Sequence, residues 1–218
     1  MHSRDRHPMR SRSTLPPLPG TGAPRRGLFV SRFGALLQRG EATRPERRRL
    51  PRFDPALFAP GSLDALFRLM QSPWNLYLVG NEDAVAFGNA SDEDWATFES
   101  CLIAHLQGQG IRPVRNYVSL DHPEGRGKHK RDSVFAFPNT GVFYHAAQQD
   151  GVQLNESWLI SDDVFELAAG WRSGVRVASV RQTGTPSAGD LVVEPHLARP
   201  SLTHLLRELA ATDEYARH

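Results

Sequence analysis

The stretch from Leu28 to Leu37 reads LFVSRFGALL, and it decides the fold. Three consecutive apolar residues lead into a polar pair, and Gly34 then supplies a tight turn. A short apolar run of this kind is typical of a buried parallel strand, which delivers the residues after it to the carboxyl edge of an α/β sheet. The residues delivered by this strand are Ser31, Arg32 and Phe33.

Composition limits the class of protein. With 218 residues and 39% hydrophobic content, the chain can bury the core of one α/β domain that carries tails. Its single cysteine, Cys101, excludes a disulfide framework and a multi-cysteine zinc site and fits a reducing compartment, so we expect a cytoplasmic protein. No run of eighteen apolar residues exists, which argues against a transmembrane helix, and residues 1–26 lack the apolar segment of a secretory signal.

Charge is distributed unevenly along the chain. The formal net charge of +2 divides into +10 up to Arg52 and −8 over residues 53–218. We expect residues 1–26 to be a disordered basic tail rich in Pro and Arg, and Arg39–Arg52 to be a solvated Arg-rich loop. Arginine clusters can bind phosphates or nucleic acid, but no aromatic residue is interleaved among these arginines, which argues against single-strand binding.

Helices and strands alternate through the rest of the chain. We predict helices that begin at Ser62 and Ser91, a helix over 140–150, a helix through Ala169, and a helix over 201–211. The predicted strands lie at 76–80, 114–120, 158–162, 175–180 and 191–194. This alternation predicts parallel crossovers and a three-layer α/β/α, doubly wound, mainly parallel sheet without a large cap domain. The domain is expected over residues 27–211, with a C-terminal tail over 212–218.

Four segments next to these strands resemble motifs of the haloacid dehalogenase superfamily. The resemblance covers roughly residues 27–210 and points to the sugar-phosphate and histidinol-phosphate phosphatase branch, which heptose bisphosphate phosphatase typifies. DHPEGRG at 121–127 is similar to the HHPxG segment that opens the zinc loop of that branch. The other segments are NEDAVAFG at 81–88, PNTG at 138–141 and ISDDVFELAAG at 160–170, where the family has TNQSGxxxG, KPxPG and GDxxxD. The resemblance implies a Rossmannoid fold of the haloacid dehalogenase type.

The same resemblance implies that the catalytic positions are degenerate. Members of the superfamily carry two aspartates after the first strand, one to attack phosphorus and one to transfer the proton. In this chain Ser31 and Phe33 stand at those positions, Gly80 replaces the phosphate-binding hydroxyl, and Phe137 replaces the lysine. We therefore expect no catalytic residues, and we expect Phe33 and Phe137 to face each other and plug the former phosphate site.

Some polar residues are retained. Asn81 and Arg32 are the candidate ligand-binding residues. Asp162 and Asp163 are candidate ligands of a weak Mg²⁺ site, although Asp162 could instead cap the helix that follows it. Two carboxylates alone hold Mg²⁺ poorly unless substrate phosphate completes the shell.

The segment over residues 119–134 resembles a zinc loop that has lost its ligands. Ser119 and Asp121 stand where the branch has a cysteine and a histidine, and the segment contains no cysteine. His122 and His129 could bind a metal with Asp121, but loop histidines are more often solvated. We therefore expect no zinc.

Three functions remain open. The main hypothesis is a pseudophosphatase that needs no cofactor and is retained to bind a protein partner or a small phosphorylated ligand. The alternative is a divergent Mg²⁺-dependent phosphatase of phosphorylated sugars or similar small metabolites. A third reading, an Arg-mediated binder of nucleic acid or an acidic partner, depends on residues 1–52 alone.

Overall fold

The computed structural model describes residues 25–40, 42, 44–180 and 184–215. In chain order, these residues form eight strands: β1 Arg26–Ser31, β2 Trp74–Val79, β3 Arg115–Asn116, β4 Trp158–Ser161, β5 Arg176–Val180, β6 Ser187–Ala188, β7 Leu191–Val192 and β8 Leu197–Arg199. They also form six α-helices: α1 Ser62–Leu69, α2 Asp83–Ala86, α3 Asp92–Gly108, α4 Gly141–Asp150, α5 Val164–Arg172 and α6 Leu202–Tyr215.

Six of the described strands make one parallel sheet in the order β3-β2-β1-β4-β5-β8. The chain builds one half of the sheet outward from β1 and then returns to β4 on the other side of β1. The order therefore reverses between β1 and β4, and a doubly wound sheet opens a crevice at its carboxyl edge at such a point. The predicted fold class is confirmed.

The central strand β1 shows why the sheet is buried on both faces. Leu28 and Val30 pack into one hydrophobic cluster, with residues of α1, α3 and α6, whereas Phe29 packs into the other, with residues of α4 and α5. Successive side chains of a strand point to opposite faces, so a continuous apolar run serves two helical layers. The connection from β1 to β2 carries α1, which packs into the first cluster and forms no cap domain.

Local signals explain where the long helix α3 begins. The Ser91 side chain accepts a hydrogen bond from the Asp94 backbone, and the Asp94 carboxylate accepts one from the Ser91 backbone. This capping box satisfies two backbone donors that the first turn leaves unpaired. The predicted start at Ser91 is thus correct.

Other boundary predictions were wrong. The sixth strand of the main sheet is β8, whereas the predicted strand at 191–194 supplies β7, which pairs with β6 in a separate antiparallel hairpin. The strand predicted at 114–120 is reduced to β3, and α1 is preceded by Gly61 as its N-cap rather than capped by Ser62. The short helix α2 was not predicted.

The predicted tails are only partly described. Residues 1–24 and 216–218 lie outside the described residues, and Arg26 already belongs to β1. Helix α6 runs to Tyr215, so it extends into the segment predicted as a C-terminal tail. None of the helices in the described residues is long and apolar enough to cross a membrane.

Replacement of Phe29 by Ala tests how much the packing of this side chain against α4 and α5 contributes to stability. The Phe29 ring stacks on Tyr77 with centroids 4.7 Å apart and meets Phe143 edge-on at 4.9 Å. We expect Phe29→Ala to lower the free energy of unfolding by about 3–5 kcal/mol, since the cavity adds to the lost transfer energy. Urea denaturation measures the loss. Val134→Ala, at a residue that is 67% exposed, is the control and should change stability by less than about 0.5 kcal/mol. Equal effects of the two variants would contradict the packing of Phe29 in this cluster.

Candidate functional site

A cavity of about 330 Å³ lies at the carboxyl edge of the sheet, where the strand order reverses. Its wall is built by the residues that follow β1, β2 and β4 and by part of the Arg39–Arg52 segment. Ser31, Arg32 and Phe33 line it from β1, as the sequence predicts.

Arg32 is the buried centre of this edge, with only 1% of its surface exposed. Its Nη1 donates hydrogen bonds to the Tyr117 carbonyl at 2.6 Å and to Asn116 Oδ1 at 2.8 Å, and its Nη2 donates to the Gly80 carbonyl at 2.6 Å. Within the described residues, its Nε has no hydrogen-bond partner. Its guanidinium ties the ends of β2 and β3 to the turn after β1 and leaves Nε as its unused donor, and the role of Arg32 in ligand binding stays a prediction.

Gly80 makes this arrangement possible. Its φ is +146°, and a Cβ at this position would lie 3.3 Å from Arg32 Nη2 and 3.4 Å from Glu166 Oε1. A side chain at this point would have to adopt a backbone conformation that residues other than glycine rarely tolerate and would crowd the buried guanidinium. The resemblance implies a phosphate-binding hydroxyl at this position. In this protein Arg32 and Glu166 occupy the space that such a side chain would need.

Two buried carboxyl groups accompany Arg32. Burial raises the pKa of Glu82 to about 7, although Arg32 acts in the opposite direction. Burial also raises the pKa of Glu166 to about 7, with Asp163 adding to the shift, while Arg39 and hydrogen bonds from Ser161 and Ser31 oppose it. The structure places Glu166 beside Ser31. Their separation in the chain hid this contact.

Asn81 clamps two loops together. Its Nδ2 donates to the Phe137 carbonyl at 3.0 Å, and its Oδ1 accepts a hydrogen bond from the Phe137 backbone N–H at 2.9 Å. Both ends of the amide thus hold the loop before α4. Asn81 also lines the cavity, and its role as a ligand-binding residue stays a prediction.

The predicted aromatic plug is wrong. Phe33 packs toward Phe98 with ring centroids 5.6 Å apart, and Phe137 packs toward Phe143 at 6.1 Å. The two rings therefore belong to the clusters on opposite faces of the sheet, and the cavity opens between them. Packing against the neighbouring helices, rather than contact with each other, sets their directions.

Asp162 is paired with an arginine. Its Oδ1 accepts a hydrogen bond from Arg39 Nη2 at 2.9 Å, and the same nitrogen donates to the Phe33 carbonyl at 2.8 Å. Asp163 caps α5 by accepting hydrogen bonds from the backbones of Phe165 and Glu166. The capping role considered for Asp162 thus falls to its neighbour.

The Arg-rich segment also departs from prediction. Arg48 Nη1 lies 2.5 Å from Asp83 Oδ2, its Nη2 lies 3.7 Å from Asp163 Oδ2, and its carbonyl accepts a hydrogen bond from Asn89. The side chains of Arg39 and Arg48 are only 22% and 24% exposed. The segment is therefore not a solvated loop throughout, because these two arginines face the carboxylates of the site.

The Mg²⁺ ion that the resemblance implies does not fit these residues. Asp162 and Asp163 each face a guanidinium group, and Ser31 and Phe33 contribute no carboxylate. Mg²⁺ requires a near-octahedral set of oxygen ligands that are free to approach it. In the described part of the chain, no three His, Cys, Asp or Glu side chains are arranged to hold a metal ion.

The loop over residues 119–134 is held by charged side chains. His129 Nδ1 lies 3.1 Å from Asp121 Oδ1, and its Nε2 lies 2.8 Å from Asp92 Oδ1. Arg131 pairs with the other oxygen of Asp121, and Lys128 pairs with Asp92. His129 was expected to be solvated and is instead engaged at both ring nitrogens. His122 lines the cavity and packs against Phe87 with ring centroids 4.9 Å apart.

Sequence comparison finds relatives among phosphatases. The chain is 27% identical over 133 residues to D-glycero-beta-D-manno-heptose-1,7-bisphosphate 7-phosphatase of Haemophilus influenzae, covering 61% of this chain and 72% of that protein. It is 26% identical over 137 residues to the enzyme of that name from Pasteurella multocida, covering 63% and 74%. No protein-family model matches the chain.

Structural comparison also finds a heptose bisphosphate phosphatase. The crystal structure of D,D-heptose 1,7-bisphosphate phosphatase from B. bronchiseptica, complexed with magnesium and phosphate, matches with a TM-score of 0.67 and 18% identity over 86% of this chain and 99% of that chain. The chain thus has the haloacid dehalogenase-like fold, and its relatives in sequence are heptose bisphosphate phosphatases. The resemblance read from the sequence motifs is confirmed.

The buried carboxyls make stability depend on pH. A folded-state pKa of about 7 for Glu82 and for Glu166 lies above the unfolded value, so the folded state binds more protons and loses stability as pH rises toward 7. We expect the free energy of unfolding to fall between pH 5 and 8, by on the order of 1–3 kcal/mol for each carboxyl. Urea denaturation at several pH values measures this fall.

Glu166→Gln cannot ionise and should reduce the slope, whereas Glu93→Gln, at an exposed residue of α3, is the control and should leave it unchanged. A Glu166→Gln variant with the slope of the wild type would show that Glu166 is already ionised in the folded protein.

A zinc assay tests whether the loop over residues 119–134 binds metal. Because His129 and Asp121 are engaged with charged neighbours, we expect purified protein to carry far less than about one zinc per chain and EDTA to leave its melting temperature unchanged. Elemental analysis and thermal denaturation give the two values. Stoichiometric zinc that disappears in a His129→Ala variant would contradict this reading of the loop.

Proposed function

We propose that this protein is a pseudophosphatase, a haloacid dehalogenase-like domain retained to bind a small phosphorylated ligand or a protein partner. One observation carries the proposal: the edge at which such a domain needs an attacking carboxylate presents Ser31 and Phe33, and Asp162 opposite them is neutralised by Arg39. In-line phosphoryl transfer requires a nucleophile and a proton donor, and phenylalanine can be neither.

The cavity supports a binding role. It holds about 330 Å³, the size of a small metabolite site, and combines aromatic walls with arginines. Arg49 lines the cavity and is exposed, so it can meet an incoming anion. Guanidinium groups suit phosphate because their planar fork offers paired donors.

The relatives favour a second candidate, a divergent phosphatase that acts on phosphorylated sugars or similar small metabolites. Ser31 Oγ would attack phosphorus and break its bond to the substrate oxygen, and Glu166 would take the hydroxyl proton and pass it to that leaving oxygen. Water would then hydrolyse the phosphoserine and release phosphate. The pKa of Glu166, at about 7, suits a general base, and hydrogen bonding with Ser31 is among the effects on that pKa. The Mg²⁺-dependent form of this candidate is disfavoured because Arg39 and Arg48 face Asp162 and Asp163.

The third hypothesis, an Arg-mediated binder, has less support. It depends on residues 1–52, of which 1–24 lie outside the described residues, and Arg39 and Arg48 are engaged with carboxylates of the same chain. Arg44, Arg47 and Arg49 stay exposed and could still contact an acidic partner.

A phosphate-release assay separates the first two candidates. Purified protein with Mg²⁺ and a panel of heptose bisphosphate, histidinol phosphate and p-nitrophenyl phosphate should release no more phosphate than a no-enzyme control. Calorimetric titration of the same compounds should detect binding by the same preparation. Turnover that is lost in Ser31→Ala and Glu166→Gln, but kept in an exposed-site control such as Glu93→Gln, would overturn the pseudophosphatase proposal and establish the second candidate.

A further inference from the structure

Three oxygen atoms converge on the guanidinium of Arg39. The Phe33 carbonyl and Asp162 Oδ1 lie 2.8 and 2.9 Å from Nη2, and Asp163 Oδ2 lies 3.7 Å from Nη1. The carbonyl belongs to the turn after β1, and the two carboxylates follow β4. Carboxylate and carbonyl oxygens from two strand ends are the ligands that a hard divalent cation takes, and in this protein a side-chain cation lies among them.

The turn after β1 holds Asp162 close to this cation. Gly34 has a φ of +96°, and a Cβ at this position would lie 2.0 Å from Asp162 Oδ1. Only a residue without a side chain lets the carboxylate approach the turn so closely. The carboxylate and the Phe33 carbonyl therefore remain together on one side of the guanidinium.

The surroundings keep Arg39 charged. Burial works against the charge, but Asp162, Glu166 and Asp163 together outweigh it and raise the pKa of Arg39 above its usual value. A second guanidinium stands nearby, because Arg48 Nη2 lies 3.7 Å from the same Asp163 oxygen that faces Arg39. Asp163 thus lies between two fixed positive charges.

We infer that Arg39 is a built-in cation that takes the place of a divalent metal and closes this site to Mg²⁺ and Mn²⁺. A metal ion would need the oxygens that Arg39 already binds, and it would enter beside two guanidinium groups of like charge. The inference concerns metal binding and not turnover, so it stands or fails separately from the proposed function.

Mn²⁺ titration followed by electron paramagnetic resonance tests the inference. The wild-type protein should show no specific Mn²⁺ site, whereas Arg39→Met, which removes the charge and keeps an apolar chain, should bind Mn²⁺ at least about tenfold more tightly. The gain should disappear in Arg39→Met/Asp162→Asn. Arg47→Met, at an exposed arginine of the same segment, is the matched control and should behave as the wild type.

Two results would overturn the inference. One is a stoichiometric Mn²⁺ site in the wild type that Asp162→Asn abolishes. The other is an Arg39→Met variant that is folded by circular dichroism and gains no Mn²⁺ affinity. Arg39→Lys keeps a cation at the position and should stay closed to Mn²⁺, so tight binding by this variant would also overturn the inference, and this test remains available should Arg39→Met fail to fold.

Discussion

The carboxyl edge of the sheet depends on one buried guanidinium group. Arg32 leaves β1 and donates hydrogen bonds to the Gly80 carbonyl after β2 and to Asn116 and Tyr117 at the end of β3. A buried charge is costly unless it is paired, and at this edge carbonyl oxygens provide the contacts and nearby carboxyls the opposite charge. Removal of this side chain would take a donor from the Gly80 and Tyr117 carbonyls, which follow β2 and β3.

The same edge shows how a site can keep its shape and change its electrostatics. Carboxylates after β2 and β4 remain at the cavity, but their counter-charges come from Arg39 and Arg48 of the segment that follows β1. A protein cation on a rigid backbone has a fixed position and a fixed hydrogen-bond direction, unlike an ion exchanged with solvent. In the loop over 119–134, Lys128 and Arg131 likewise pair with Asp92 and Asp121, and His129 lies between the same two carboxylates.

The sequence predicted the sheet well because each buried strand is marked by a local run of apolar residues. The apolar runs of β1, β2, β4 and β5 serve two faces, and the turn after β1 is marked by Gly34. β8 was missed because Leu197–Arg199 is short and its residues are partly exposed, so it lacks such a run. The two-residue β3 was overextended because Val114–Leu120 is apolar enough to read as a strand, although most of it forms loop.

The site was predicted by position but not by contact. The predicted strand ends placed Ser31, Gly80 and Asp163 at the shared carboxyl edge of parallel strands. The structure brings all three to one cavity there. The contact of Ser31 with Glu166 and the directions of Phe33 and Phe137 depend on packing between distant segments, which no local pattern encodes. The tertiary partners of a long charged side chain are hidden in the same way.

The bond between Arg39 and Asp162 also sets an order of events in the making of the molecule. Its two ends are separated by 123 residues, so translation delivers the arginine roughly 6–25 seconds before its partner at ordinary rates of synthesis. Throughout that interval the first half of the sheet carries a positive segment with no carboxylate from β4 to meet it. Closure of the carboxyl edge must therefore wait until β4 and the two aspartates after it have been synthesised.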